Sequence, residues 1–268
     1  MDERPIGVFD SGLGGLTVLQ ALADLLPAEH LLYLGDTARY PYGPRSGDEL
    51  RAFSAQIADL LVAQGVKMLV VACNSATAAA LDHLRDLHDL PIIGVVAPGL
   101  RAAAAVSRTG RVAVIGTQMT AESRVYERTA DALRLDLDVA VTPCPGFVEL
   151  VEEDRTEGPE ALRVVRDGLA PVLTARLDTL VLGCTHYPLL ARTISEVVGR
   201  DVTLVSSADE TAFEVRDILE RTGWLRRGDT PGTRTYWTSG DPVRFARLGE
   251  AFLGAPLGDV RALRWPPA

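Results

Sequence analysis

Two short segments share one pattern. Leu69-Val70-Val71-Ala72-Cys73-Asn74-Ser75 and Leu180-Val181-Leu182-Gly183-Cys184-Thr185-His186 each run from an apolar strand, through a small residue, to a cysteine and a polar pair ahead of a helical stretch. A thiol so placed meets the positive end of a helix dipole and free backbone N–H groups, which favour thiolate. A single free cysteine is commonly a small buried hydrophobe. Two in matched settings, flanked by Asn, Thr and His, point to chemistry. Cys144, between Pro143 and Pro145, lacks the pattern and reads as packing. Asp10-Ser11 and Thr117 follow two other apolar runs, so they too fall at strand ends, where parallel α/β sheets gather ligands.

Paired thiols could form a redox couple, but CxxC spacing is absent. They could hold zinc, yet His30, His83 and His88 show no useful ligand spacing. His83 and His88 do not share a helix face and read as solvated. No metal site is expected. A third use is proton transfer on opposite faces of one carbon. One thiolate removes a proton while a thiol across the cleft donates one, inverting the stereocentre. Asp10 and His186 are natural neighbours to manage those protons. Backbone N–H groups at helix starts would stabilise the enolate-like oxygens of the carbanion.

Two cofactor readings are weak. Lys67 is the only lysine and opens the apolar run Met68-Leu69-Val70-Val71, a poor place for a Schiff base. Gly12-Leu13-Gly14 begins like a dinucleotide loop, and Asp36 sits where a ribose-binding acid would be. However, Thr17 occupies the third glycine position, and Asp10-Ser11 puts a carboxylate in the path of a pyrophosphate. Anion or amino-acid binding fits better, and no cofactor is expected.

Strands and helices alternate from end to end. Strands are expected at Ile6–Phe9, Leu31–Leu34, Lys67–Ala72, Ile92–Val96, Arg111–Ile115, Leu137–Thr142, Thr179–Leu182, Val202–Val205, Thr233–Thr238 and Asp259–Trp265. Helices are expected at Leu16–Leu26, from the Ser46/Glu49 capping box to Gln64, and at Ala76–Leu87 with Asn74 or Ser75 as cap. Further helices are expected at Gln118–Leu133, Phe147–Glu153, Pro159–Ala175, Tyr187–Val198, Thr211–Arg221 behind a Ser207/Glu210 capping box, and Pro242–Phe252. Such alternation implies an α/β protein with mainly parallel sheets flanked by helices. The two cysteines and the two leading strands, ending at Phe9 and Ile115, are similarly spaced. That suggests two α/β units of like design, pseudo-symmetric about an active site between them.

The 268 residues suffice for one or two domains with a large core. The net charge of −9 argues against nucleic acid or anionic membrane as general partners. No apolar run reaches the roughly 18 residues of a membrane span. No secretory signal is visible, and three cysteines in so long a chain fit a reducing cytoplasm.

Four blocks resemble the signatures of bacterial glutamate racemases, within the aspartate/glutamate racemase family. They are Phe9-Asp10-Ser11-Gly12-Leu13-Gly14-Gly15, Pro41-Tyr42-Gly43, Ala72-Cys73-Asn74-Ser75-Ala76-Thr77 and Gly183-Cys184-Thr185-His186-Tyr187-Pro188-Leu189. The resemblance implies a cofactor-independent isomerase that interconverts L- and D-glutamate for peptidoglycan synthesis and usually forms homodimers. It implies that Cys73 takes the proton from D-glutamate, assisted by Asp10, and Cys184 from L-glutamate, assisted by His186. It implies substrate contacts from Asp10, Ser11, Tyr42, Gly43, Asn74, Ser75, Thr185 and His186, with Thr117 and Thr120 beside them. Glu152 matches an acid of the family motif. A first domain of 1–97 plus 207–268 and a second of 98–206 are implied. Ser75, Glu149 and Met119 depart from common family residues without touching the paired thiols. Aspartate racemases share the two-cysteine design but typically carry Glu where this chain has His186, which favours glutamate. A non-catalytic amino-acid binding or regulatory protein on the same scaffold is the other alternative; binding alone needs no thiols.

Overall fold

A computed structural model describes residues 2–174 and 177–265. The strands are β1 (Ile6–Asp10), β2 (Leu31–Gly35), β3 (Met68–Val71), β4 (Ile92–Gly94), β5 (Arg111–Gly116), β6 (Asp138–Pro143), β7 (Thr179–Gly183), β8 (Thr203–Val205), β9 (Arg234–Thr238) and β10 (Val260–Ala262). The helices are α1 (Leu16–Leu25), α2 (Gly47–Ala63), α3 (Asn74–Leu87), α4 (Val96–Val106), α5 (Gln118–Glu122), α6 (Val125–Ala132), α7 (Phe147–Glu152), α8 (Pro159–Leu173), α9 (Ala191–Val198), α10 (Ala208–Thr222) and α11 (Pro242–Leu253). The end of the helix expected to reach Ala175, and the last three residues of the expected first domain, lie outside the described residues.

The strands form two sheets, ordered β10-β9-β2-β1-β3-β4 and β6-β5-β7-β8. Every pairing is parallel. The order 2-1-3-4 in the first sheet recurs as 6-5-7-8 in the second, so the expected likeness of two α/β units is present in the topology. The central strands β1, β3 and β7 are buried along their whole length, as parallel strands covered on both faces must be. Apolar clusters fill both faces of each sheet. The chain reverses direction of winding after β1 and again after β5, which puts crevices at the carboxyl ends of β1/β3 and β5/β7.

Several elements differ from expectation, each for a local reason. The Ser46/Glu49 capping box forms, with Ser46 Oγ accepting from the Glu49 N–H and Glu49 Oε2 from the Ser46 N–H. The Ser207/Glu210 box does not form. Ser207 is already helical in φ/ψ, and Ser206 Oγ accepts the Ala208 N–H instead. The helix expected over 118–133 breaks at Arg124, whose φ is 52°, where Ser123 Oγ takes the Val125 N–H. The stretch after Cys184 opens as a 3-10 turn, Tyr187–Leu190, before α9. Helix α4 was not among the expected elements, and it begins at Val96, the expected end of the fourth strand; it holds Pro98 and Gly99. Both sit in its first turns, where proline is tolerated, and Gly99 lets Ser207 approach to 3.2 Å of its Cβ position. His88 is not solvated as expected. It ends α3 with its side chain only 10% exposed, 3.4 Å from the Asp59 carboxylate, whereas His83 is exposed.

Asp36, just past β2, organises the first unit. Its fully buried carboxylate accepts from Arg39 Nε at 2.6 Å, Tyr42 Oη at 2.5 Å, Ser239 Oγ at 2.7 Å and Trp265 Nε1 at 2.7 Å. It is occupied by protein donors rather than poised for a ribose. Asp36→Ala would leave the mostly buried Arg39 guanidinium without its partner, and is expected to cost about 3–5 kcal/mol in urea unfolding. A midpoint within experimental error of the unsubstituted protein would contradict this role.

Candidate active site

The thiols sit just past two central strands. Cys73 follows β3 and is the N-cap residue of α3; Cys184 follows β7 and leads into the 3-10 turn. Both are buried, and both line one cavity of about 200 Å³. Ser11, Tyr42, Gly43, Asn74, Ser75, Thr117, Thr185 and His186 line the same cavity, so most of the expected site residues converge. Asp10, Thr120 and Glu152 stand behind the lining. Thr120 is fully buried and supports Thr117, hydroxyl to hydroxyl at 3.1 Å.

Expected caps turn out to be engaged elsewhere. Asn74 Oδ1 accepts from Tyr126 Oη at 2.8 Å, and Ser75 Oγ lies 2.9 Å from Thr117 Oγ1. Both contacts join the first sheet's unit to the second. Neither side chain caps α3; the Ala76 N–H of its first turn is directed at the Cys73 sulfur, and such a helix start beside the cavity favours an anionic group. Asn74 Nδ2 is buried with no protein acceptor, a donor that awaits a partner.

The two sulfurs have different surroundings. Cys73 Sγ lies 3.8 Å from Ser11 Oγ. Burial, and then the negative charge of Asp10, push its thiol well above the ordinary range. Asp10 Oδ2 accepts the Gly12 N–H at 2.9 Å, while Oδ1 is buried without a partner. On the other side, Cys184 Sγ is 3.8 Å from His186 Nδ1, and His186 Nε2 is 2.9 Å from Glu152 Oε1. Burial works against a charged imidazole there, but the Cys184 sulfur and the Glu152 carboxylate outweigh it and hold His186 up at about 10. The two sulfurs thus have unlike neighbours, a carboxylate that opposes ionisation behind Cys73 and an imidazole drawn toward its charged form beside Cys184. Among the described residues no arginine or lysine lines it. Lys67 is buried elsewhere, 2.6 Å from Glu29 Oε2.

The glycine loop has a steric task. A Cβ on Gly14 would stand 2.2 Å from Thr185 Oγ1 and 2.6 Å from His186 Nδ1. The loop can close on the second thiol's neighbours only because residue 14 has no side chain.

The Asp/Glu/Hydantoin racemase family model matches residues 6–215. The chain belongs to this family. It is 50% identical to a glutamate racemase of Beutenbergia cavernae, over 97% of this chain and 93% of that one. A solved glutamate racemase isoform from Bacillus anthracis superposes with a TM-score of 0.93 at 39% identity, covering 100% of both chains. The Francisella tularensis glutamate racemase, solved in complex with D-glutamate, superposes with a TM-score of 0.91 at 31% identity, covering 98% of both. The protein is thus an amino-acid racemase, an isomerase.

In this racemase the cavity also has walls that its sequence did not reveal. Tyr40, Gln118, Val148 and Glu149 line it, and the Tyr40 ring lies 6.3 Å from that of His186. Tyr40 adjoins Pro41-Tyr42-Gly43, which is the one signal that could have found it. Cys144 lines the cavity as well as the core. Its sulfur faces the carbonyls of Thr142 and Gly168, and burial pushes its thiol up to about 12. Held neutral and turned to backbone acceptors, it is a packing group at the wall. Cys144→Ala is expected to keep kcat within about threefold while lowering unfolding stability by about 1 kcal/mol. A large loss of kcat in a folded variant would count against that assignment.

Proposed function

We propose that the chain interconverts L- and D-glutamate by two-base proton transfer without a cofactor, with Cys73 and Cys184 on opposite faces of the α-carbon. The observation that carries this reading is the pair of strand-end thiols on one cavity, each with its own proton-handling neighbour: Asp10 behind Cys73, and His186 with Glu152 behind Cys184. The glutamate racemases among the relatives support the substrate.

Cys73 begins as the thiol, since burial and Asp10 both oppose its ionisation. It is the acid in the L-to-D direction, and Cys184 is the base. His186 and Glu152 keep compensating charge beside Cys184 as the proton is taken up. In the reverse direction the roles exchange. The developing carbanion spreads its charge onto the α-carboxylate. With no arginine or lysine lining the cavity among the described residues, that charge falls to the N–H groups at the starts of α3 and the 3-10 turn, to the Asn74 amide, and to the hydroxyls of Ser11, Ser75, Thr117 and Thr185. Tyr42 and Gly43 close the wall.

The reading extends to the rest of the molecule. The first unit comprises 1–97 plus 207–268 and the second 98–206, the chain crossing between them within α4. The D-glutamate serves peptidoglycan synthesis, in a cytoplasmic homodimer. The direct test is NMR of α-proton exchange in D2O, with each enantiomer of glutamate and of aspartate and no added cofactor. Deuterium entering glutamate with loss of optical activity is the expected result. Exchange on aspartate alone would keep the mechanism and move the substrate; no exchange on either would leave a binding protein.

A further inference from the structure

The segment from Asp36 to Arg45 carries Tyr42 and Gly43 into the cavity without regular secondary structure of its own. What holds it lies far away in sequence, mostly beyond residue 215, where the family match ends. Ser239 Oγ accepts the Ala38 N–H at 2.9 Å, and Thr37 Oγ1 lies 2.6 Å from Thr238 Oγ1. The Arg39 guanidinium is stacked between Phe53 and Trp265, 4.2 and 4.1 Å from their ring centroids. Trp265 Nε1 donates to Asp36 Oδ1 at 2.7 Å, and Tyr42 Oη donates to the other oxygen of the same carboxylate. On its far side the loop meets the second unit, where the Met119 N–H donates to the Gly43 carbonyl at 3.1 Å.

We propose that Trp265, near the end of the chain, is a positioning residue for substrate. It clamps Arg39 and Asp36, and through Asp36 sets the Tyr42-Gly43 wall of the cavity. The inference rests on the glutamate reading for its kinetic arm. The loop holds neither thiol. Loosening it weakens the grip on substrate and transition state alike, which raises KM and spares kcat. Trp265 is only half-buried at the sheet edge, beyond the last residue of β10, and packs against one apolar cluster of the first unit from its rim.

The test compares Trp265→Leu, which removes both the stack and the donor, with Trp265→Phe, which keeps an aromatic face on Arg39. Trp265→Leu is expected to raise KM for L-glutamate about tenfold with kcat within about threefold. Trp265→Phe is expected to fall between it and the unsubstituted enzyme. In a Tyr42→Phe background, which cuts the link to Asp36, the KM penalty of Trp265→Leu is expected to shrink. Tryptic cleavage after Arg39 or Arg45 of the folded protein is expected to speed up in Trp265→Leu, a readout that needs no substrate. KM within twofold for both variants with unchanged cleavage overturns the proposal, as does a fall in kcat with KM unchanged or full additivity with Tyr42→Phe. If the unsubstituted protein fails to racemise glutamate but cleavage still accelerates, the substrate reading falls and the clamp stands. If Trp265→Leu does not fold, Trp265→Phe carries the KM and cleavage comparison alone.

Discussion

Cys73→Ala and Cys184→Ala are each expected to lower kcat for glutamate racemisation by at least about 10³-fold, near the upper range for loss of a general acid or base. The more telling result is stereochemical. With Cys73 absent, Cys184 still faces the hydrogen of the L-enantiomer and can remove and return it on that face. Cys73→Ala is therefore expected to wash deuterium slowly into L-glutamate without inversion, and to leave D-glutamate untouched. Cys184→Ala is expected to do the converse. A single base moving between faces would give neither asymmetry, and near-normal turnover in either variant would end the two-base reading. Retained far-UV circular dichroism separates lost chemistry from lost fold, since both side chains are buried in the apolar clusters of their units.

What was legible in the sequence was what local pattern dictates. The apolar runs ending at Asp10, Cys73 and Cys184 became central, fully buried strands, so residues after them had to fall at the crevices. The likeness of the two cysteine segments became the matched order of strands in the two sheets. What stayed hidden was set by contacts across the chain. Asn74 and Ser75 have the chemistry of helix caps, and nothing local says that Tyr126 and Thr117 of the other unit will claim them. Asp36 has the position of a ribose-binding acid, and only folding brings Ser239 and Trp265 to its oxygens. Gly14 fits the start of a phosphate loop, yet the close approach that requires it comes from Thr185 and His186. Helix α4 was not read from the sequence at all. It carries Pro98 and Gly99 in its first turns and is held by packing against α6, α10 and β7.

His186→Asn is expected to lower kcat/KM by about 10²-fold, and by the same factor for both enantiomers. The equality is thermodynamic. L- and D-glutamate have the same free energy in water, so the ratio of their kcat/KM values is fixed at unity whatever the variant. The asymmetry must appear in kcat and KM separately. Of the two thiols His186 contacts Cys184, the base toward L-glutamate, so kcat from the L side is expected to fall the more. Equal falls in kcat from both sides would place His186 in general substrate binding instead. The same substitution has a signature in stability. The folded-state pKa of His186 is raised from 6.5 to about 10, so its contribution is fully present below 6.5 and is lost as pH climbs through about 10. The gap in urea midpoint between the unsubstituted protein and His186→Asn is therefore expected to be widest in mild acid and to close across that window. Glu152→Gln removes one of the two contacts that raise the imidazole against burial, so it is expected to move the closing of the gap to lower pH. A gap that widens with pH would mean that His186 is neutral beside Cys184, and would leave Glu152 to orient the ring without charging it.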